Sequence, residues 1–295
     1  MRHPGAAMTE TFSLPPGAGL SSLAPRYDVI FCDVWGVLHN GVAAWPMAHA
    51  ALAKFREGGG TVVLLSNAPR PGVAVMAILD RMGVPRAAYD GIVTSGDVTR
   101  MELDRRGVRR LHHIGPDRDL DLFEGLDLVP AADAPIVVVT GLDDDDVETP
   151  DDYREALKAL AARNIDLVCA NPDRVVEKGG KLIWCAGALA DVYEEYGGHV
   201  VHIGKPFPVV YEQALRVAMK VRGEVTPKAR VLAIGDSMIT DVAGANTFGI
   251  DCLFMTGGIH AAEIGDPPAS EAYRKVLEPA TAMPVAWSHR LVWEM

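Results

Sequence analysis

The chain has 295 residues, of which 49% are hydrophobic and 23% are charged, and its formal net charge is -11. This apolar content can fill one large core, or a domain with a smaller inserted one. The acidic surface as a whole is expected to repel nucleic acid and anionic membranes, which excludes both as predicted partners. No apolar run reaches the ~18 residues that span a bilayer, and the first twenty residues lack the apolar region of a signal peptide. Four isolated cysteines are expected to be buried reduced thiols, so we expect a cytoplasmic protein.

Short apolar runs alternate with helical stretches along the chain, after a Gly- and Pro-rich segment, residues 1–23, that predicts a mobile tail. The predicted strands lie in residues 27–34, 61–67, 92–95, 135–141, 166–171, 199–205, 231–237 and 251–257. Helices are predicted from Pro46 to Gly58–Gly60 and over residues 71–82, 150–163, 187–196, 208–221 and 240–248. The alternation, with runs that are apolar almost throughout, predicts an α/β fold with a doubly wound parallel sheet.

Polar residues stand where several of these apolar runs stop. Parallel α/β sheets bind ligands at the carboxyl ends of their strands, so these residues are the first candidates for a site. They are, in chain order, Asp33, Ser66, Asn67, Lys205, Asp236 and, five residues further on, Asp241.

The segments around these residues resemble the four motifs of the haloacid dehalogenase-like hydrolase superfamily. They are FCDVWGVLHNG (Phe31–Gly41), LLSNAPR (Leu64–Arg70), GKPFP (Gly204–Pro208) and GDSMITDVAGA (Gly235–Ala245). The long segment between the second and third motifs resembles the α/β cap of the class IIA group, which includes nitrophenylphosphatases and NagD-type phosphatases. The resemblance implies a core of residues 24–105 and 199–295, with a smaller inserted α/β cap over residues 106–198.

The resemblance also implies a magnesium-dependent phosphohydrolase in which Asp33 attacks phosphorus and forms an aspartyl-phosphate. Magnesium would be held by Asp33, Asp236, Asp241 and the backbone carbonyl of Trp35. Hard oxygen ligands of this kind suit Mg²⁺. The cation would reduce the repulsion between the nucleophile and the anionic substrate.

Three further residues are implied to bind the phosphoryl group. Ser66 would donate a hydrogen bond to a phosphoryl oxygen and Lys205 would neutralise charge, so both count with Asp33 as catalytic residues. Asn67 and nearby backbone N–H groups would bind the same oxygens.

The first motif departs from the superfamily pattern at Trp35. Most phosphatases of the superfamily carry Asp-x-Asp, in which the second Asp protonates the leaving alcohol and then activates water. Indole cannot perform this role, and loss of such a group typically costs ~10²–10⁴ in rate. Trp35 is expected to pack in the pocket wall or the cap interface, or to stack on a flat substrate.

Three interpretations of this departure stay open. A phosphatase could use a substitute, such as metal-bound water, a cap residue or a good leaving group. A hydrolytic dehalogenase also has an aromatic residue at this place, but it needs no magnesium, whereas Asp236 and Asp241 keep the magnesium-binding acids. Alternatively, the protein binds a phosphorylated metabolite with little or no turnover.

The cap contains Asn171-Pro172-Asp173, which resembles a recurrent cap turn of the class IIA group. Asn171 or Asp173 could face the substrate, or the segment could be an ordinary Asx-Pro turn. The implied partner is a small phosphorylated metabolite, and caps of this group often form homodimer contacts. The sequence does not identify which phosphate ester is the substrate.

Overall fold

The computed structural model of the chain describes residues 19–178, 181–265, 272, 275–276 and 282–294. The strands within these residues are β1 (Val29–Cys32), β2 (Thr61–Ser66), β3 (Gly91–Thr94), β4 (Arg110–Ile114), β5 (Asp127–Leu128), β6 (Ile136–Val139), β7 (Asp166–Cys169), β8 (Val175–Lys178), β9 (Lys181–Trp184), β10 (Val200–His202), β11 (Val231–Gly235), β12 (Asp251–Met255) and β13 (Ala286–Ser288). The helices are α1 (Pro46–Glu57), α2 (Gly72–Arg81), α3 (Ser95–Arg105), α4 (Arg154–Ala161), α5 (Ala186–Glu195), α6 (Pro208–Arg222), α7 (Ala243–Phe248) and α8 (Ala261–Ile264).

A six-stranded parallel sheet in the order β13-β12-β11-β1-β2-β3 forms the larger layer. Its central strands are buried on both faces because alternate side chains enter two different cores. Val29 and Phe31 of β1 pack in the core that holds α6. Ile30 and Cys32 pack in the core that holds α1 and α2. Helices on both faces confirm the predicted doubly wound α/β fold.

The register of this sheet brings the ends of its central strands together. Cys32, the last residue of β1, is level with Leu64 of β2 and with Ile234 of β11. Since the strands are parallel, the residues that follow Cys32 and Ile234 emerge at one edge, beside Ser66 at the end of β2. The fold therefore gathers the ends of three motifs that are far apart in sequence.

A second sheet, β10-β7-β6-β4-β5, is also parallel, and β8 and β9 form a separate antiparallel hairpin. One face of the second sheet continues the core that holds α6, and the other packs against α4 and α5. The predicted boundaries of the core and cap remain a prediction. Strand β10, however, pairs with β7, so its hydrogen bonds join residues 200–202 to the second sheet.

Most of the predicted tail, residues 1–23, lies outside the described residues. Its last part is packed against the body of the protein, contrary to the expectation of mobility. Leu20 is buried, and its backbone N–H donates to the carbonyl of Val292 at 2.8 Å. Leu23 is also buried. Over the described residues, no helix combines the length and apolar character needed to cross a membrane.

Candidate functional site

Three aspartates converge at the carboxyl edge of the six-stranded sheet. Asp33 follows β1, and its backbone N–H donates to the carbonyl of Ile234 at 2.8 Å. Asp236 follows β11, and Asp241 lies in a π-helical turn, Met238–Val242, that leads into α7. All three are buried, and one carboxylate oxygen from each lies within 4.8 Å of the other two. The structure therefore brings together the three predicted metal-binding side chains.

The ammonium group of Lys205 lies against two of these carboxylates. Its Nζ donates to Oδ1 of Asp33 at 2.5 Å and to Oδ1 of Asp241 at 2.7 Å. All three side chains are almost fully excluded from solvent. Because water screens buried charges little, the lysine offsets much of the repulsion between the two acids.

The charge balance of the cluster shifts the pKa values of its members. Burial raises the pKa of Asp33 well above its usual range, although Lys205 opposes the shift. Burial and the charge of Asp241 raise the pKa of Asp236 to about 7. Burial disfavours the charged form of Lys205, but Asp241 and Asp33 outweigh it and raise the pKa of the lysine. With one lysine and three ionised acids, the site has a net negative charge.

Glycine backbone closes around the carboxylate of Asp236. A Cβ atom on Gly36 or on Gly258 would lie 2.0 Å from Oδ2 of this side chain. The backbone N–H of Ile259 donates to the same oxygen at 2.7 Å. Gly36 also has a φ of +84°, which favours glycine. These contacts fix the orientation of Asp236.

The donor set fits a hard divalent cation. Carboxylate oxygens are the ligands that Mg²⁺ and Ca²⁺ prefer in proteins, and such an ion would supply the missing positive charge. Oδ2 of Asp241 is already oriented by the backbone N–H of Ser237 at 3.1 Å. Asp33, Asp236 and Asp241 can therefore hold a divalent cation. The role of the Trp35 carbonyl as a further ligand stays a prediction.

Trp35 reaches from the edge of the larger sheet to the β8–β9 hairpin. Its indole Nε1 donates to the backbone carbonyl of Glu177 on β8 at 2.7 Å. Its ring packs edge-on against the ring of His39, with centroids 5.2 Å apart. A Cβ on Gly41 would lie 2.5 Å from the indole ring. The side chain therefore packs between the first motif and the β8–β9 hairpin, and its predicted roles at the cap interface and in substrate binding stay predictions.

Asn67 connects the ends of three segments that carry candidate residues. Its Nδ2 donates to Oδ1 of Asp173 at 2.9 Å and to the carbonyl of Lys205 at 3.1 Å. Its Oδ1 accepts the backbone N–H of Lys205 at 2.7 Å. Ser66, the buried last residue of β2, accepts the N–H of Ala68 through its Oγ at 3.2 Å. The amide of Asn67 thereby connects Asp173, in the turn after β7, to the backbone of Lys205.

The two polar side chains of the Asn171-Pro172-Asp173 turn have different hydrogen-bond partners. Oδ1 of Asn171 accepts the backbone N–H of Asp173 at 3.1 Å, which is the Asx turn that the alternative interpretation predicts. The side chain of Asp173 instead leaves the turn and reaches Asn67. The substrate-binding roles predicted for Asn171 and Asp173 stay predictions.

Several residues of the site are not predicted from the sequence. Ser95, the first residue of α3, donates through Oγ to Oδ1 of Asn67 at 3.4 Å. Gly258 and Ile259, which follow β12, contact Asp236. The pair Gly257-Gly258 directly after an apolar run is a signal for a close backbone approach.

Two family models match parts of the chain. The model described as haloacid dehalogenase-like hydrolase matches residues 30–129, and the one described as HAD-hydrolase-like matches residues 202–278. A search of curated proteins returned no match.

Among solved structures, the chain is similar to a hydrolase of the haloacid dehalogenase-like family from Brucella suis, with 47% identity and a TM-score of 0.83 over 93% of this chain and 99% of that one. It has the fold of NagD from Escherichia coli, with 20% identity and a TM-score of 0.66 over 90% of this chain and 97% of that one. It also has the fold of a glycerol phosphate phosphatase from Mycobacterium tuberculosis in complex with calcium, with 24% identity and a TM-score of 0.61 over 80% of this chain and 68% of that one.

Proposed function

Since the chain belongs to the haloacid dehalogenase-like hydrolases, we propose that it is a magnesium-dependent phosphatase that acts on a small phosphate monoester. The observation that carries the proposal is the buried cluster of Asp33, Asp236 and Asp241 with Lys205 bound against two of them. A nucleophilic carboxylate among cation-binding acids is the arrangement that phosphoryl transfer to an aspartate requires.

Each polar group has a distinct task in the proposed reaction. Asp33 attacks the phosphorus atom, the bond to the leaving oxygen breaks, and an aspartyl-phosphate forms on Asp33. Lys205 balances negative charge on the phosphoryl oxygens, while Ser66 and Asn67 donate hydrogen bonds to them. Magnesium, when bound by Asp33, Asp236, Asp241 and the Trp35 carbonyl, supplies the positive charge that lets an anionic substrate approach. Water then cleaves the aspartyl-phosphate and releases phosphate.

A hydrolytic dehalogenase and a binding protein with little turnover are the two alternative functions. A dehalogenase needs no cation, and the cluster of Asp33, Asp236 and Asp241 as possible cation ligands therefore favours phosphoryl transfer. One observation favours a binding protein with little turnover. Trp35 occupies the position of the general acid, and its indole N–H donates to the carbonyl of Glu177. Turnover measurements separate this alternative from a phosphatase.

The substrate class and assembly belong to the same proposal. A small phosphorylated metabolite fits the single buried lysine of the site better than a polyanion does, and the net charge of -11 also disfavours nucleic acid. We propose that residues 106–198 form the cap and provide the contacts of a homodimer. A cytoplasmic location is supported by four cysteines that are all buried and unpaired.

The test is a phosphate-release screen over many monoesters, with magnesium or with chelator. We expect release from at least one monoester, loss of release with chelator, and loss of release in Asp33→Asn with the fold retained. Asp191→Asn, the same change at a carboxylate paired with Arg174 on the surface, serves as the matched control. Release by Asp33→Asn at the original rate would refute the assignment of the nucleophile. Tight ligand binding without release would favour the binding protein.

A further inference from the structure

A phosphatase of this kind needs a group that protonates the leaving alcohol and later removes a proton from water. Trp35 stands where the superfamily pattern has that group, and its indole N–H is bound to the carbonyl of Glu177 at 2.7 Å. Indole neither gives up nor accepts a proton near neutral pH. The group must therefore come from another part of the chain.

Most other ionisable groups around the site are unsuited to the task. Lys205 is held by two carboxylates. Burial lowers the pKa of His39 to about 4, and its Nδ1 accepts the N–H of Gly41 at 3.0 Å. Burial raises the pKa of the Cys32 thiol and of the Tyr211 hydroxyl well above their usual ranges, so both stay protonated. Besides the three acids of the cation site, Asp173 is a carboxylate that hydrogen bonds connect to this cluster, through Asn67 and the backbone of Lys205.

Asp173 reaches Asn67 from the turn that follows β7. Its backbone is fixed on both sides, because its N–H donates to Asn171 and its carbonyl accepts the N–H of Gly187 at 3.0 Å. Its Oδ1 accepts from Asn67, whose amide is bonded in turn to the backbone of Lys205. Among the hydrogen bonds of the described residues, the one to this carboxylate uses Oδ1, and none uses the second oxygen, Oδ2.

The protonation behaviour of Asp173 agrees with this placement. Burial raises the pKa of Asp173 to about 6, while Lys205 and the hydrogen bond from Asn67 lower it. The charged groups that interact with Asp173 are Lys205, Asp241 and Asp236, and the thiols of Cys169 and Cys185 also lie near enough to interact with it. A carboxyl group that titrates near the operating pH can both deliver and accept a proton.

We propose that Asp173 is the general acid and base of this site, supplied by the inserted segment in place of the carboxylate that Trp35 has displaced. The proposal rests on the phosphatase function proposed above. As the bond from Asp33 to phosphorus forms and the ester bond breaks, protonated Asp173 gives its proton to the leaving oxygen and becomes a carboxylate. It then takes a proton from the water that attacks the aspartyl-phosphate. Phosphate leaves, Asp33 is regenerated and Asp173 is protonated again.

The test uses Asp173→Asn, which keeps the shape of the side chain and an oxygen that can accept from Asn67. The protein with magnesium is mixed rapidly with an alkyl phosphate or with nitrophenyl phosphate, and release of the alcohol or nitrophenolate is followed through the first turnover. Nitrophenolate can leave as an anion and needs no proton, whereas the alkyl leaving group must be protonated as it departs. Asp191→Asn is the control for the substitution, and Asp33→Asn reports the nucleophile.

In Asp173→Asn, we expect the first turnover of the alkyl phosphate to slow by about 10²–10⁴-fold. The first nitrophenolate should appear at a rate close to that of the original protein, followed by slow further turnover because water is no longer activated. Equal slowing of both first turnovers would assign Asp173 a purely structural role and overturn the inference. Unchanged hydrolysis of the alkyl phosphate would also overturn it, while Asp33→Asn remaining inactive would leave the proposed function intact. No turnover by the original protein would refute both.

Discussion

Replacing Lys205 by Met tests how the acid cluster is held together without a cation. Its Nζ lies 2.5 Å from Asp33 and 2.7 Å from Asp241. At an effective dielectric constant of about 20, each pair has a gross attraction of about 6 kcal/mol, most of which is offset by the cost of burying the charges. Removal of one partner from a buried pair typically costs about 3–5 kcal/mol. The unfolding midpoint should therefore fall by about 6–20 °C.

The loss of folding stability caused by Lys205→Met should be larger at high pH than at low pH. Burial and the charge of Asp241 raise the folded-state pKa of Asp236 to about 7, and Lys205 opposes the shift; the unfolded value is about 4. A carboxyl group with a raised folded-state pKa destabilises the protein above that pKa, and the penalty disappears as the pH falls towards the unfolded value. Without Lys205 the upward shift of the Asp236 pKa becomes larger. The loss of stability in Lys205→Met should therefore be greatest near pH 8 and smaller near pH 5.

The assay is thermal unfolding in chelator across this pH range, with Lys181→Met as the matched control. Lys181 is exposed and pairs with Asp146 on the surface, so its replacement should cost at most about 1 kcal/mol. Added Mg²⁺ should recover more stability in Lys205→Met than in the original protein, because the variant site is more negative. An equal midpoint for Lys205→Met and the original protein near pH 8, or a deficit that does not change with pH, would refute the electrostatic account of the cluster.

Two further substitutions test contacts around the site. Trp35→Phe removes the hydrogen bond to Glu177, worth about 0.5–1.5 kcal/mol, so hydrogen exchange of the amides in β8 should accelerate by about 2–10-fold; unchanged exchange would mean that the indole does not hold the hairpin. Gly258→Ala places a Cβ 2.0 Å from Oδ2 of Asp236 and should weaken Mg²⁺ binding measured by calorimetry, whereas Gly58→Ala, whose Cβ would meet no atom closer than 3.4 Å, should leave it unchanged. Equal Mg²⁺ affinities in these two variants would contradict the role of the glycine backbone in orienting Asp236.

The sequence predicts the convergence of the acids because of a simple property of parallel sheets. Asp33 and Asp236 each follow a fully buried apolar run, and adjacent parallel strands end at one edge. Their proximity is therefore expected from the order of polar and apolar residues alone. The position of Lys205 against both Asp33 and Asp241 is not predicted in this way, since it depends on side-chain conformations and on the path from β10 to α6.

Other elements escape prediction for different physical reasons. Strand β8 holds only two apolar residues, and the apolar run of β9 continues almost directly into α5. Neither strand therefore stands out from its neighbours, although the intervening Gly-Gly pair is a hairpin signal. Helix α3 begins with a capping box in which Thr94 accepts the N–H of Asp97, but few of its residues are apolar. An apolar run predicts a strand without identifying its neighbour, which is why the pairing of β10 with β7 required the structure.

The contact between Trp35 and Glu177 depends on the meeting of segments 142 residues apart. Nothing in the local pattern around Trp35 indicates that its indole reaches the hairpin. The same holds for Asp173, whose side chain contacts Asn67 across a separation of 106 residues. Sequence motifs identify such residues as candidates, and only the packed structure shows which groups they contact.

The most direct test of the account is to trap the phosphorylated protein. The original protein and Asp33→Asn are incubated with a radiolabelled phosphate monoester, with magnesium or with chelator, quenched in acid and digested. We predict acid-stable label on the peptide that contains Asp33, only in the original protein and only with magnesium. Label on another residue, or label that persists in Asp33→Asn, would contradict the account.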